Sequence, residues 1–155
     1  MKIVEIVNAN EKSKLCNGIL RALPGWFGVE QSIVEYVQAV ADMPFYAAEE
    51  NGEFVGFVAI KVHNADTCEV CVMGVLPQHH RHGVGRELIE ACEAYGRSHG
   101  MTFLTVKTLD ASRPDEGYAR TRRFYTAMGF KPLEVFPLLW DEANPCLFMA
   151  KCIGS

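Results

Sequence analysis

Two glycines between an apolar run and a helical pattern mark the part of the sequence best suited to bind a ligand. The run Val70–Leu76 predicts a β-strand, and Pro77 ends it because proline cannot donate a hydrogen bond to a sheet. Gly83 and Gly85 then open a segment whose apolar residues recur at the spacing of one buried helix face. The pattern therefore predicts a strand, a glycine-containing turn and the N-terminus of a helix.

The chemistry that suits this turn is anion binding. The first backbone N–H groups of a helix have no partner within the helix and lie at the positive end of its dipole. Glycine has no Cβ, so a ligand can approach the backbone closely. Arg81 and Arg86 add fixed positive charge on either side of the turn. A pyrophosphate would suit such a site.

Other ligand sites fit this turn less well. A Walker A loop needs Gly-Lys-Ser/Thr after the turn, and a dinucleotide fingerprint needs a third glycine where Leu88 stands. His79, His80 and His82 could suggest a metal, but no carboxylate or cysteine lies beside them at helical ligand spacing. We therefore expect no metal and interpret the histidines as polar loop residues.

The turn resembles the acetyl-CoA signature of the GNAT N-acetyltransferase superfamily, Arg/Gln-x-x-Gly-x-Gly/Ala, with His80 at the first position. A second block, Arg123–Phe130, resembles the Phe-Tyr-x-x-x-Gly-Phe element that closes the same site in that family. Ahead of it, Tyr118 and Thr121 stand where the family usually has Asn and Ala. The resemblance implies that acetyl-CoA binds here, with the pantetheine amides paired to the strand. The residues it implies for the coenzyme are Met73, Val75, His80, Arg81, His82, Gly83, Val84, Gly85 and Arg86.

The same resemblance implies catalytic roles for Glu69 and Tyr125. A lysine-like amine of pKa ~10.4 is mostly protonated at neutral pH, so acetyl transfer needs a base for the amine and a proton for the leaving thiolate. Glu69 stands at the offset from Gly83 where the histone acetyltransferase branch carries its catalytic glutamate, and Tyr125 is the acid candidate. The substitutes for Glu69 are Asp110, Asp115 and Glu116. A backbone N–H of Val75, where the family strand bulges, is expected to stabilise the oxyanion.

Aromatic and acidic residues in two loops are the candidates for the acceptor site. Trp26 and Phe27 lie in a glycine-containing loop, where they either wall the acceptor site or pack into the core. The loop 109–117 is long for a compact domain, and long loops tend to be functional. Its acidic residues would suit a cationic amine, although solvated surface charge is the more ordinary explanation. The tentative substrate residues are Trp26, Phe27, Asp110, Glu116, Tyr118 and Trp140.

Apolar periodicity and turn residues predict elements in the order βααβββαβαββ. Helices are predicted over Glu11–Leu23, Glu30–Asp42, Gly83–His99 and Tyr118–Met128. Strands are predicted over Lys2–Val7, Phe45–Glu50, Glu53–Val62, Glu69–Leu76, Phe103–Thr108, Leu133–Pro137 and Cys146–Ile153. This order matches the GNAT fold of the α/β (α+β) class. That fold has a mixed, mostly antiparallel sheet of about seven strands, flanked by about four helices and splayed between strands four and five, where acetyl-CoA sits.

Length and composition limit the classes of protein. The 155 residues are expected to form one domain, 1–155. The net charge of −4 argues against general nucleic-acid or anionic-membrane binding. The apolar runs are too short to span a bilayer and the N-terminus lacks a signal-peptide pattern, so we expect a cytoplasmic protein. Six irregularly spaced cysteines are expected to be reduced and mostly buried.

These observations predict an acetyl-CoA-dependent N-acetyltransferase that acts on a primary amine of a small molecule or peptide, by direct attack in a ternary complex. Acetylation of protein lysines or N-termini is the alternative within that class. A non-catalytic acyl-CoA-binding sensor is the alternative outside it, and Glu69 and Tyr125 argue against it because a binder needs neither. The expected partners are an amine substrate, no nucleic acid and no membrane, with a homodimer left open.

Overall fold

The computed structural model describes residues 1–154. Its helices are α1 (Ala9–Arg21), α2 (Glu30–Ala39), α3 (Val84–Ser98) and α4 (Glu116–Ala127). Its strands are β1 (Lys2–Glu5), β2 (Phe45–Glu50), β3 (Glu53–Val62), β4 (Thr67–Val75), β5 (Phe103–Leu109), β6 (Lys131–Asp141) and β7 (Asn144–Cys152). The strands form one sheet in the order β1-β2-β3-β4-β5-β7-β6, in which β4 and β5 are parallel and the other neighbours antiparallel. The predicted fold class is confirmed.

Capping and turn residues explain where several elements begin. The side chain of Asn8 accepts a hydrogen bond from the Glu11 N–H at 2.9 Å and so caps α1. Asp115 does the same for α4 by accepting from the Tyr118 N–H at 3.0 Å. The helix therefore begins at Glu116, two residues before the predicted start. Within residues 1–154 no helix combines the length and apolar character needed to cross a membrane.

The last two strands are longer than the sequence predicted. The predicted strands Leu133–Pro137 and Cys146–Ile153 stop short of each other, whereas β6 extends to Asp141 and β7 begins at Asn144. Pro132 and Pro137 disfavoured a long strand on sequence grounds. However, β6 is the edge strand of the sheet, where the missing proline N–H costs no ladder hydrogen bond.

The sheet separates two apolar clusters. One cluster packs α1 and α2 against residues such as Phe57, and the other packs α3 and α4 against residues such as Val58. Phe57 and Val58 are neighbours on β3, and their opposite placement follows from the alternation of side chains along a strand. The α1–α2 loop and α4 therefore approach the sheet from opposite sides.

The central feature for function is the separation of β4 from β5. The two strands pair only from Thr67–Phe103 to Val70–Val106. Beyond that point neither is paired with the other, which confirms the predicted splay. The bulge of β4 lies at Cys71, the extra residue between the two that face Ala59 and Ile60 of β3, and not at Val75 as the sequence analysis expected. Val75 keeps a regular partner on β3, whereas a bulge at Cys71 bends the strand where pairing with β5 ends.

Candidate active site

A cavity of about 460 Å³ lies where β4 and β5 separate. Its walls come from both strands, the turn before α3, the α1–α2 loop, α4 and the far end of β6. A volume of this size falls in the range of ~300–1,000 Å³ that is usual for small-molecule sites. Its shape and chemistry follow from the elements that meet there.

The turn before α3 presents unpaired backbone N–H groups to this cavity. Gly83 occupies the N-cap position of α3 with φ +82°, and no side chain caps the helix. A Cβ on Gly83 would meet no atom within 4 Å, so glycine is needed there for its left-handed backbone rather than for space. Arg81 also has a positive φ, +65°, which is costly for arginine. Arg81 and Arg86 line the cavity beside the helix N-terminus, and this arrangement fits a pyrophosphate.

Gly85 brings the two sequence blocks into contact. A Cβ at Gly85 would lie only 3.1 Å from Cζ of Phe124, which is in the second block on α4. The ring of Phe124 therefore packs directly on the first turn of α3. The two glycines of the motif have different tasks, because Gly83 sets the turn and Gly85 allows α4 to approach.

The side chain of His80 folds back onto β4. Its Nε2 lies 2.6 Å from the carbonyl oxygen of Val75, so that nitrogen carries the proton and donates it. The ring also meets Trp26 edge to face, with centroids 5.7 Å apart. His80 thus links the turn, β4 and the α1–α2 loop, and it occupies one carbonyl that the sequence analysis assigned to the pantetheine arm.

Two of the cavity's hydroxyl residues, Tyr125 and Thr108, are buried. Tyr125 is buried, packs edge to face on Phe130 at 5.5 Å, and its pKa is raised well above the ordinary value because burial disfavours the phenolate. Thr108, on the unpaired end of β5, also lines the cavity, and its buried Oγ1 has no hydrogen-bond partner among residues 1–154. A buried hydroxyl without a partner costs free energy, so Thr108 fits a site where a ligand supplies the hydrogen bond.

Glu69 is buried beside the cavity but does not line it. Its Oε1 lies 2.9 Å from Nζ of Lys107 and 2.5 Å from Nε2 of His63. Lys107 does line the cavity, from the part of β5 beyond its last pair with β4. The lysine ammonium therefore connects the buried carboxylate to the cavity.

Trp26 is held over the cavity by α4. The Tyr118 hydroxyl donates to the carbonyl oxygen of Trp26 at 3.0 Å, and the Trp26 indole N–H donates to the Thr121 hydroxyl at 3.2 Å. A Cβ at Gly117 would lie 3.2 Å from the indole ring, so glycine leaves room for it. Tyr118 and Thr121 are the two positions where the sequence departs from the expected Asn and Ala, and here they fix the α1–α2 loop to α4.

Comparison with known proteins decides the family. The model of the acetyltransferase (GNAT) family matches residues 16–130. The chain belongs to the GNAT family. An uncharacterised N-acetyltransferase from Chlorobaculum tepidum is 26% identical to it over 137 residues, which cover 84% of this chain and 80% of that protein. The reaction class of the family, acetyl transfer, is supported by this match.

Solved structures share the GNAT fold along the whole chain. A protein described as a GNAT-family acetyltransferase from Desulfovibrio desulfuricans has a TM-score of 0.83 at 18% identity, with 99% of both chains covered. An aminoglycoside 6′-N-acetyltransferase solved with coenzyme A has a TM-score of 0.77 at 21% identity, covering 100% of this chain and 98% of that one. At these identities the likeness is one of fold. GNAT neighbours of this fold bind coenzyme A.

Most of the residues predicted for the GNAT site line the cavity. They are Met73, Val75, His80, Arg81, Gly83, Gly85, Arg86, Tyr125, Trp26, Phe27, Tyr118 and Trp140. Those that do not line it are Glu69, His82, Val84, Asp110 and Glu116. Val84 is buried in the core under α3, and His82 and Glu116 are exposed. Asp110 accepts the Ser112 N–H at 3.0 Å, and hydrogen bonding from Ser112 holds the pKa of that carboxyl below its usual value.

Several cavity residues were missed by the sequence analysis, and four of them bear on substrate binding or on the chemistry. They are Tyr36, Cys71, Lys107 and Thr108. The sequence carried a signal for Lys107, since a lysine in the otherwise uncharged run 103–109 needs a partner once that run is a central strand. Tyr36 and Cys71 carried none, because the angle of α2 and the bulge in β4 depend on the assembled sheet.

Proposed function

We propose that this protein transfers an acetyl group from acetyl-CoA to a primary amine of a small molecule or peptide, by direct attack in a ternary complex. The observation that carries the proposal is the cavity in the β4–β5 split of a GNAT-family chain, with the α3 N-terminus and Tyr125 in its walls. Bound acetyl-CoA supplies the thioester carbonyl that the amine attacks.

The chain's own groups suit each part of the coenzyme. The N–H groups after Gly83 and the guanidinium groups of Arg81 and Arg86 bind the pyrophosphate. Along β4, the backbone groups of Met73 and the N–H of Val75 face the side from which β5 has departed, and they pair with the pantetheine amides. The Thr108 hydroxyl, which has no partner among the described residues, donates to or accepts from the same arm.

Glu69 receives the proton of the amine in this proposal. Lys107 lines the cavity and Glu69 does not. The proton therefore reaches Glu69 indirectly, through a water molecule. The Lys107 ammonium holds the carboxylate in one orientation, and His63 binds the same oxygen from the β3–β4 turn.

Tyr125 stabilises the leaving thiolate by donating a hydrogen bond. An ordinary thiol has a pKa of ~8.5 and a tyrosine ~10, and burial raises the pKa of Tyr125 further. Full proton transfer from the phenol to the thiolate would therefore be uphill, whereas the protonated hydroxyl is available as a donor over the whole neutral range. We place the donor to the oxyanion at the bulge residue Cys71 and not at Val75, because the extra residue of a bulge leaves the ladder.

Direct attack is supported by the state of the Cys71 thiol. Among the described residues it is the one cysteine that lines the cavity, so it is the thiol that a covalent acetyl-enzyme would use. Its pKa is raised, first by burial and then by the nearby Glu69 carboxylate. A thiol attacks as the thiolate, so Cys71 is a poor nucleophile at neutral pH.

The proposal is tested by initial-rate kinetics with acetyl-CoA and a panel of primary amines, followed by mass spectrometry of the product. A ternary complex gives intersecting double-reciprocal lines, whereas a covalent intermediate gives parallel lines. Acetyl-CoA binding without acetylation of any amine or peptide would favour the sensor alternative. A cytoplasmic location, a single domain, the absence of a metal and a homodimer stay predictions.

A further inference from the structure

We propose that the acceptor is a monoamine carried on an apolar, preferably aromatic, body, and not a polyamine or another polycation. The inference rests on the proposed function and names the class of substrate for the same site. It follows from which side chains line the acceptor part of the cavity and from where the nearby carboxylates are engaged.

The acceptor part of the cavity is apolar and rich in aromatic rings. Its lining residues from the α1–α2 loop, α2, β4, α4 and β6 are Trp26, Phe27, Tyr36, Val72, Tyr118 and Trp140. Phe27 and Tyr36 meet edge to face with centroids 6.1 Å apart, which continues the aromatic wall begun by Trp26. Rings arranged this way bind a flat or branched hydrocarbon body by burial and by edge-to-face contact.

The charges around the cavity disfavour a second ammonium on the acceptor. Among the described residues that line it none is Asp or Glu. Arg81 and Arg86 are assigned to the coenzyme pyrophosphate, so the cations left for the acceptor to meet are Lys107 and Arg120. A polycation would therefore bring its extra charges toward like charges without a carboxylate to balance them.

The carboxylates near the cavity are already bound by the chain itself. Glu69 is held by Lys107 and His63. Asp115 caps α4 by accepting the Tyr118 N–H, and Asp110 accepts the Ser112 N–H. The acidic residues that the sequence suggested for a cationic amine, Asp110, Asp115 and Glu116, do not line the cavity.

A matched pair of amines tests the inference. Pentylamine and cadaverine have the same five-carbon chain and differ only in a second terminal ammonium. With saturating acetyl-CoA and acetylated product measured by mass spectrometry, kcat/KM for pentylamine should exceed that for cadaverine by about tenfold or more, the size of discrimination that one group in an apolar pocket provides. The value for 2-phenylethylamine should be higher again, and spermidine and kanamycin should be poor substrates.

A charge placed in the aromatic wall should weaken or remove the preference for the monoamine. Trp140 lines the cavity but is 44% exposed, so Trp140→Asp should fold. It should lower kcat/KM for 2-phenylethylamine and raise the cadaverine-to-pentylamine ratio about tenfold. Leu138→Asp is the matched control, because Leu138 lies two residues earlier on β6, is 71% exposed and does not line the cavity. It should leave the ratio unchanged.

The outcomes separate this inference from the proposed function. Acetylation of cadaverine, spermidine or kanamycin as well as or better than pentylamine would overturn the inference and leave amine acetylation standing. An unchanged ratio in a folded Trp140→Asp variant would also overturn it. If acetyl-CoA binds but no amine of the panel is acetylated, the proposed function fails, and the inference fails with it.

Discussion

The carboxylate of Glu69 and the ammonium of Lys107 are 2.9 Å apart across the last paired residues of β4 and β5. A second buried glutamate makes a similar pair, in which Glu93 of α3 lies 2.9 Å from Lys151 of β7. Both glutamates are less than 10% exposed, at 6% and 7%. Only the Glu69–Lys107 pair has a member that lines the cavity. Variants of the two pairs can therefore distinguish an effect on catalysis from an effect on stability.

Glu69→Gln should lower the rate of acetyl transfer by about 10²–10⁴-fold at neutral pH, the usual contribution of a positioned base. The rate should recover in part as pH rises, because more of the amine is already deprotonated. Coenzyme affinity measured by calorimetry should stay close to that of the wild type. Glu69 is near the start of β4, whereas the anion site lies beyond the other end of that strand, at the N-terminus of α3.

Glu93→Gln is the control for the loss of a buried ion pair. Both variants should lose about 1–3 kcal/mol of unfolding free energy in denaturant titrations, because each leaves a lysine without its carboxylate. Only Glu69→Gln should change the rate. Full activity of Glu69→Gln at every pH would assign the base elsewhere.

Gly83→Asp should abolish measurable coenzyme binding. It places a carboxylate at the helix N-terminus that fits the pyrophosphate, and it forces a side chain into φ +82°. Gly100→Asp carries the same backbone cost, since Gly100 follows α3 with φ +73° and has equally open surroundings. Calorimetry should show normal acetyl-CoA affinity for the Gly100 variant. An equal loss of acetyl-CoA affinity in both variants would show that backbone strain, and not the anion site, causes the effect.

Tyr125→Phe should reduce kcat by more than it weakens coenzyme binding. The ring and its packing on Phe130 are kept, and only the hydroxyl that donates to the leaving thiolate is lost, so the effect falls on the transition state. Tyr95→Phe is the control, because Tyr95 stacks on His99 at 4.1 Å and does not line the cavity. An unchanged kcat for Tyr125→Phe, with chemistry shown to be rate-limiting, would leave Tyr125 a packing role.

Gly85→Ala should destabilise the fold slightly although alanine is the better helix former. The helix preference favours alanine by ~1 kcal/mol. Against this, a methyl group 3.1 Å from the Phe124 ring overpacks the contact at a cost of about 1–3 kcal/mol. Gly18→Ala, in α1 with no atom within 4 Å of its Cβ, should instead stabilise by up to ~1 kcal/mol. Unfolding in urea measures both, and stabilisation of both variants would show that Phe124 moves aside freely.

Cys71 should be alkylated slowly by iodoacetamide at neutral pH and faster as pH rises. Burial raises its pKa, so the reactive thiolate is a smaller fraction than in an ordinary cysteine at any pH below the shifted value. Exposed Cys152 gives the comparison in the same peptide map by mass spectrometry. A stable acetyl thioester at Cys71 after incubation with acetyl-CoA alone would contradict direct attack.

The features that local sequence determines were predictable, and those that depend on the assembled sheet were not. The Gly83 turn and the Asn51-Gly52 hairpin follow from residues that tolerate positive φ, and the structure has both. The contact of Gly85 with Phe124 joins segments far apart in sequence, and the motif order predicted only that they close the same site.

The catalytic end of the cavity was the part least predictable from the sequence, because it depends most on tertiary structure. The bulge at Cys71 comes from the register of β4 against β3, which no residue type in the strand specifies. Tyr118 and Thr121 depart from the family pattern, and both form hydrogen bonds with Trp26 that hold the α1–α2 loop on α4. Only the packed structure shows this role.

The split between β4 and β5 also bears on how the molecule avoids self-association. Beyond Val70 and Val106 the sheet contains two inner edges at which β4 and β5 do not pair with each other, a geometry that invites aggregation when it is exposed. Here Trp26, held by α4, and Phe124, packed on α3, crowd the approach to those edges. In the cavity these rings leave, a thin unbranched chain fits better than a strand with side chains on both faces. The fold can therefore keep two open strand edges in its interior without offering them to a second polypeptide.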